Sequence, residues 1–467
     1  SRPEDRSRSL TRYRTDMVSS SVLSHPGASP VALKDSAGSA STPPSGILRA
    51  RARIRPMSTA QKKLPAWPLL ALLYGFPALW ALGLLQIAPL VLAAIMLFYL
   101  TIRGNVRVPG SLWVWGAFCV WVVVAALALT RSTDMIGWGL RFVNILSAGI
   151  YALYYYNARS SISLNRLLGG LATLWVTLIV LGYGGVLFPE FRLRTPMSFI
   201  MPSGFMQNPL VRDYMLPPLA EVQRPWGAPE AYIRPSAPFP YANSWGLAYT
   251  LLTPVMLACL LRLRSIWLRI ALLIGMALST VPAIATSNRG MFIGLGISAA
   301  YVLLRQFLAA NWRAVGMGVA AIAAVIVALF ASGTVDNILG RQDYSDSTGG
   351  RAALYRATWN ATLESPIIGY GTPRMEPSIG VSMGTQGYLW TLMFCFGFVG
   401  LALFALFMMC TVASGARVKT ASGYWLHSVP MACCVVFIFY SFDIAQLTIL
   451  MLASMACMRS IRDGEGL

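Results

Sequence analysis

The chain has 467 residues, of which 56% are hydrophobic and 12% charged, with a formal net charge of +20 and a mean hydropathy of +0.60. A soluble globule has about a quarter of its residues charged, so this inventory cannot build a water-facing surface around so much apolar mass. Disorder throughout is excluded on the same ground, and the bilayer is the expected solvent.

Residues 1–64 are rich in Ser, Arg, Pro and Ala, show no apolar period, and hold twelve Lys/Arg against four Asp/Glu. They read as a disordered basic cytosolic tail. The stretch from Met57 to Lys63 reads like a natural start, which makes residues 1–56 a candidate upstream extension. The cluster Arg49, Arg51, Arg53 and Arg55 reads either as a solvated tail or as a polybasic contact with a membrane surface.

From Leu64 the chain breaks into apolar runs long enough to cross ~30 Å of hydrocarbon. They fall near 66–83, 85–102, 112–130, 136–156, 167–188, 243–261, 266–286, 290–308, 314–332, 387–411, 428–442 and 444–458. The last two are short and read as two helices or as one re-entrant pair. The expected fold is therefore an all-α integral membrane protein of about twelve transmembrane helices with two long extracytoplasmic loops. Helices one to five occupy 65–188, the first loop 189–242, helices six to nine 243–332, the second loop 333–386, and the last three helices with a cytosolic C-terminus 387–467. All seven cysteines (Cys119, Cys259, Cys395, Cys410, Cys433, Cys434 and Cys457) lie in apolar spans and read as small hydrophobic packers.

Charge placement orients this scheme. With the N-terminus in the cytosol, the inward connections hold thirteen Lys/Arg and two acids, whereas the two long loops together hold nine Arg and nine Asp/Glu. That bias follows the positive-inside rule, with both termini inside and both loops outside. The basic balance is thus a topology signal, and no nucleic-acid partner is needed to explain it.

The loops carry arginine and no lysine: Arg192, Arg194, Arg212, Arg224 and Arg234 in the first, Arg341, Arg351, Arg356 and Arg374 in the second. Arginine is permanently charged and presents a planar fork that grips phosphate oxygens in pairs, where lysine offers a point charge. Such loops suit an anionic, phosphorylated ligand; codon bias and pairing with neighbouring acids form the other reading. Arg289, in Ser287-Asn288-Arg289-Gly290 between two apolar helices, is the sharper signal. An arginine at that depth faces a partner or a water-filled cavity. Arg141 in the fourth helix is a second intramembrane candidate with a weaker context.

Ser287-Asn288-Arg289-Gly290 opening a helix resembles the Ser-Arg-Gly motif of the O-antigen ligase and polymerase superfamily of membrane glycosyltransferases. Arg234…Phe239…Asn243 is similar to that family's segment leading from the first outer loop into a helix. Arg351…Arg356…Trp359 followed by Pro366-Ile367-Ile368-Gly369-Tyr370-Gly371 resembles its second-loop signature, and Gly387-Tyr388-Leu389-Trp390 with Gly397…Gly400 the helix after it. The four motifs occur in family order over residues 66–458. One departure matters: where many ligases of the family carry a histidine, this chain has Thr385 and Gln386, and its two histidines are His25 in the tail and His427 in an expected cytosolic connection.

The resemblance implies transfer of a glycan from a polyprenyl-diphosphate donor to a glycan or lipid-anchored acceptor at the outer face of a bacterial plasma membrane. Stabilising the leaving group is the dominant electrostatic demand of that chemistry. No Asp-x-Asp pair is present to hold a divalent metal, so no cofactor or metal is expected and arginines take the role. Arg289 and Arg234 are assigned to the diphosphate, with Arg351 and Arg356 as second-loop contributors. Asn243, Tyr241, Trp359, Tyr370, Gln386 and Tyr388 are the expected substrate-binding residues, and Trp245 is a further candidate for stacking on a sugar ring. With no histidine in the loops, the acceptor's proton goes to Asp336, Asp343, Asp346, Glu364 or Glu376, or the acceptor needs little activation. Asp443 either faces the cavity or caps a turn. The alternative is a small-anion or polysaccharide transporter of the same helical architecture, which would show inverted repeats and broken helices at mid-membrane.

Overall fold

The computed structural model describes residues 63–464 apart from 208, 224–230, 332, 334–346 and 378–379. The basic tail up to residue 62, Arg224, Arg341, Asp336, Asp343 and Asp346 lie outside the described residues, as does the side chain of Arg351.

The described chain is almost wholly helical. It opens with α1 (Trp67–Tyr74), α2 (Phe76–Ala81), α3 (Ala88–Arg103) and α4 (Gly110–Val124), the last prolonged by a 3-10 turn over Ala125–Ala128. Then come α5 (Ser132–Asn157) and α6 (Leu164–Leu187). Three short helices, α7 (Pro196–Ile200), α8 (Ser203–Met206) and α9 (Pro209–Met215), and an antiparallel pair, β1 (Ala220–Gln223) with β2 (Tyr232–Pro235), fill the first long loop. Helices α10 (Ala242–Arg262), α11 (Ile266–Ala285), α12 (Arg289–Leu308) and α13 (Trp312–Ala331) follow. The second long loop carries α14 (Ser347–Glu364) and a small pair, β3 (Met375–Glu376) with β4 (Val381–Ser382). The chain ends with α15 (Tyr388–Gly415), α16 (Ala421–Val436) and α17 (Ile444–Asp463).

Among the described residues nine helices are long and apolar enough to cross a bilayer, against the twelve expected. The remaining three expected spans are helical but shorter. The first is broken at Gly75 into α1 and α2, and α3 and α16 have sixteen residues each. Leu64, counted with the tail by sequence, is buried and belongs to the fold. The final two spans are separate helices, and α16 starts before the expected residue 428, so His427 lies inside a helix and not in a connection.

Local chemistry explains several boundaries. Ser163 caps α6 by accepting from the Arg166 amide, and Thr420 caps α16 by accepting from Gly423. Asp443 and Gln446 form a reciprocal capping box at the start of α17. Pro254, Pro282 and Pro430 sit inside α10, α11 and α16, which a packed membrane bundle tolerates because neighbours satisfy the freed backbone groups.

Helix α17 is the axis, packed by α5, α10, α15 and α16, while α12 lies on α16 and α10, and α13 on α12. At the C-terminal end of α17 the buried Arg459 donates to the Ile162 carbonyl at 2.8 Å and lies over the Tyr155 ring at 4.2 Å. That arginine is internal glue, so its charge is spent on the fold.

Candidate functional site

The other end of α17 gathers several of the residues that sequence pointed to. Residues 437–443, the connection from α16 to α17, meet the starts of four helices. The amides of Tyr388 and Leu389, opening α15, donate to the carbonyls of Tyr440 at 2.8 Å and Phe437 at 2.9 Å. The Tyr440 hydroxyl donates to Asn288 Oδ1 ahead of α12. Ser244 Oγ, in the first turn of α10, donates to Asp443 Oδ2 at 3.1 Å, and Gln446 Nε2 of α17 donates back to the Ser244 carbonyl at 2.9 Å. Helix starts carry partial positive charge, so four of them around one short segment favour negative charge nearby.

Arg289 is the first residue of α12 and is exposed. Its neighbours are packed as tightly as side chains permit. Asn288 is buried, with Nδ2 donating to the Ala242 carbonyl at 3.3 Å, so its side chain does not cap α12. A Cβ on Gly290 would stand 2.8 Å from the rings of both Phe439 and Tyr440, and one on Gly246 only 2.2 Å from Asn288 Nδ2. Asparagine inward and glycine flush against aromatic rings leave the arginine on the outside of a fixed corner. The positive end of α12 and a guanidinium thus share one exposed spot, an arrangement suited to phosphate.

Arg234 occupies the same corner in a different way. It lies on β2 opposite Glu221 of β1, is 7% exposed, and its Nη1 is 3.6 Å from Glu221 Oε2. Nε donates to the Thr286 carbonyl at 2.9 Å and Nη2 to Asn243 Oδ1 at 3.1 Å. Glu221 also accepts from the Ala242 amide at 3.1 Å. Arg234 therefore ties the first loop to the end of α11 and the start of α10, and it brings Asn243 into the corner. Tyr241, just before α10, is exposed; partial burial, then Asp213, Asp443 and Glu221, raise its hydroxyl above the ordinary range.

The second-loop residues divide. Tyr355, which sequence reading passed over between Arg351 and Arg356, stacks on Trp390 at 4.2 Å and donates to the Gln386 carbonyl at 3.3 Å. Ser441 Oγ donates to the Thr385 carbonyl at 3.1 Å, which brings the Thr385-Gln386 stretch against residues 437–443. Arg356 is exposed on α14, and Trp359 is half-exposed with its ring edge-on to Phe398.

Pro366–Gly371, expected as a second-loop signature, acts as a latch on a broken helix. Helix α15 departs from helical geometry at Gly397, whose φ is +66° and ψ −176°, a conformation essentially restricted to glycine. The Phe398 amide donates to the Pro366 carbonyl at 2.7 Å, and the amides of Tyr370 and Gly371 donate to the Phe394 and Cys395 carbonyls at 2.9 and 2.8 Å. The loop thereby supplies the bonds that the break removes. Tyr370 belongs to this latch: its ring packs on Phe394, its hydroxyl lies 2.9 Å from the Ala361 carbonyl and 3.2 Å from Glu364, and Arg374 lies 4.5 Å over its face. Burial, then Glu364, raises the Tyr370 hydroxyl above its ordinary value.

A second group joins residues that sequence named only one by one. Arg141 on α5, partly buried, donates to Thr372 Oγ1 at 3.1 Å and to the Gly137 carbonyl at 3.0 Å, and its charge acts on Tyr388 and Asp443. Tyr388 is 5% exposed, too enclosed to be an open sugar platform; its ring stacks on Phe442 at 5.2 Å, and its hydroxyl has no hydrogen-bond partner among the described residues. Asp443 does both things that sequence left open. It caps α17, and it lines a cleft with Phe76, Leu85, Leu174, Tyr214 and Phe239. Burial holds its carboxyl above the ordinary range, opposed by the Ser244 hydrogen bond and by Arg141. Sequence named each of the three singly, Arg141 as an intramembrane charge, Tyr388 as a substrate-binding residue and Asp443 as a cavity or capping residue, but no local pattern says which helix starts will surround an N-cap aspartate.

Two expectations are corrected. Trp245 is fully buried, donates to the Leu178 carbonyl at 3.1 Å and stacks on Tyr249, so it is core and cannot stack on a sugar. His427 is buried in α16, bonded to the Tyr301 hydroxyl and to the Val412 carbonyl at 2.9 Å, and is not a connection residue.

Comparison with known proteins adds one match: the O-antigen ligase family model aligns with residues 274–405. The matched segment starts within α11, includes Arg289, and ends within α15. None of the curated proteins compared with the chain matches it.

Proposed function

We propose that this chain, a multi-pass membrane protein with an O-antigen ligase segment at its centre, transfers a glycan from a polyprenyl-diphosphate carrier to an acceptor at the outer face of a bacterial plasma membrane. The observation that carries the reading is the corner itself: exposed Arg289 at a helix start not capped by a side chain, inside the matched segment and next to the braced Arg234.

In this reading the donor's diphosphate sits against the start of α12. Arg289 grips its oxygens with a fork that lysine lacks, and the α12 dipole adds charge of the same sign. Arg234, fixed by Glu221, Thr286 and Asn243, holds the corner rigid, so little reorganisation is needed as charge develops on the leaving group. Arg356 and Arg351 on α14 contribute from the second loop. Tyr241 offers an exposed ring to the departing sugar, and Gln386 lies at the other edge of the corner. The stabilisation is supplied by arginines without a metal.

The test is turnover by the full chain reconstituted in lipid with polyprenyl-diphosphate glycan and acceptor. Arg289→Ala is expected to slow transfer by about 10²–10³-fold, the usual loss on removing one charge-stabilising donor. Arg289→Lys should recover part of it. A chelator should leave the wild-type rate unchanged. Full activity of Arg289→Ala, or flux of a small anion without glycan turnover, rejects the enzyme reading; loss in chelator reversed by a divalent ion rejects metal independence.

A further inference from the structure

We infer that Asp443 is the catalytic base that takes the acceptor's proton, with Arg141 and Tyr388 within electrostatic reach of it; this rests on the transfer reading above.

The chemistry needs a proton acceptor close to where the diphosphate leaves. The acceptor's O–H bond breaks as its oxygen bonds the anomeric carbon. The bond from that carbon to the phosphate oxygen breaks, and its electron pair leaves on the lipid diphosphate. The proton must go to a group on the protein and from there to water or to the departing diphosphate. The loop acids considered from sequence fit poorly where they are described. Glu364 is exposed and engaged by Tyr370 in the latch, and Glu376 lies on the β3–β4 pair. Glu221 is committed to Arg234 and the Ala242 amide.

Asp443 is placed differently. It ends the same seven-residue connection whose Tyr440 fixes Asn288 beside Arg289, so acid and arginine are mounted on one rigid piece. One wall of its surroundings is the cleft formed with Phe76, Leu174, Tyr214 and Phe239. Its capping duty does not exhaust it. A carboxylate offers about four lone-pair sites, and the capping amide and Ser244 Oγ occupy two. The Tyr388 hydroxyl is buried and unpartnered among the described residues, and it lies within electrostatic reach of both Arg141 and Asp443. A buried hydroxyl is rarely left without a partner unless something else supplies one, and an acceptor hydroxyl would do so.

The groups facing Asp443 are Arg141 from α5, Tyr214 from α9, Tyr241 and Ser244 at the start of α10, and Tyr388 from α15. Arg141 is the single cation among them. Burial outweighs it and raises the carboxyl above its ordinary value. The base form is therefore lost as pH falls through that raised value, and the acidic limb of activity should lie above the usual carboxylate range of about 4.

The experiment uses the full chain in lipid with polyprenyl-diphosphate glycan, comparing wild type, Asp443→Asn, Asp443→Ser and Tyr388→Phe. Asparagine and serine cap helices about as well as aspartate, so both variants should unfold near the wild-type temperature. Donor binding, measured without acceptor, should stay within about twofold of wild type, while transfer slows by about 100-fold or more. The acidic limb of the wild-type pH–rate profile should vanish in Asp443→Asn. Tyr388→Phe should lose less and keep that limb. Transfer by Asp443→Asn within about tenfold of wild type, or a residual rate with the wild-type acidic limb, overturns the assignment alone. A wild type that binds donor and never transfers overturns the reading on which it rests.

Discussion

Helices α13 and α17 are equal in length, and the more apolar of the two is the less buried. Of the nine long apolar helices, α13 has the highest hydropathy, and none of its apolar window is buried within the protein; for α17 the figure is 89%. In water this order would be reversed. In a bilayer the lipid is as apolar as leucine, so apolar character no longer drives a helix inward. What draws α17 to the centre is its polar content: Gln446 bonds the Ser244 carbonyl, Asp443 caps the helix, and Arg459 bonds the Ile162 carbonyl. Polar groups there need protein partners, and those partners make the core.

The sharpest test of the packed side lies where α15 breaks. Gly397→Val should destabilise the protein by about 3 kcal/mol or more, combining backbone strain with a clash. Its Cβ would meet the Ile367 carbonyl oxygen at 2.1 Å and the Pro366 oxygen at 2.7 Å, and the latter is already held by the Phe398 amide. Thermal unfolding in detergent or lipid, with proteolysis of the 366–371 loop, measures the effect. A variant as stable as wild type would mean that the loop does not hold the break.

A smaller effect is expected where the packed side meets the lipid-facing helices. Asn288→Ala removes the acceptor of the Tyr440 hydroxyl and the bond to the Ala242 carbonyl, leaving buried polar atoms unsatisfied. It should cost about 1–3 kcal/mol. With its support gone, Arg289 should lose its fixed position, and transfer should fall about tenfold, since a misplacement of about 1 Å can cost more than that. Unfolding and turnover on the same sample separate the two effects. A stability loss with full turnover would show that Asn288 holds the fold and has no part in placing Arg289.

Sequence made the helical membrane class legible, because apolar run length is a one-dimensional property. It also marked Arg289 and Arg234, which lie at one corner. Two kinds of feature were hidden. The first is any relation that depends on which helix ends converge: Asp443 reads as a cap or a cavity residue, Tyr388 as a substrate-binding aromatic, and Arg141 as an isolated intramembrane charge, and nothing joins them until α5, α15 and α17 are brought together. The second is the division of labour within motifs. Pro366–Gly371 reads as a functional signature, yet its amides and carbonyls mend α15. Tyr355 drew no notice beside Arg356 and Trp359, yet it is the member of α14 that reaches Gln386. Hydropathy ranks α13 above α17 and is silent on burial, which explains why Trp245 and His427 were misplaced.

The smallest predicted effect is the one that most directly tests the lipid-facing assignment. Gly316→Leu on α13 adds a large side chain where a Cβ would meet nothing within 4 Å. Replacing glycine by leucine within a helix also removes a propensity penalty of about 1 kcal/mol. If acyl chains cover this face, the added leucine meets a surface that adapts to it, and stability should change by no more than about 0.5 kcal/mol or rise slightly. The measurement is the unfolding temperature in lipid, alongside cross-linking to detect self-association. A loss like that of Gly397→Val would mean that a rigid partner packs against α13. The contrast with α17 would then be between two packed surfaces, one made within the chain and one made by another molecule.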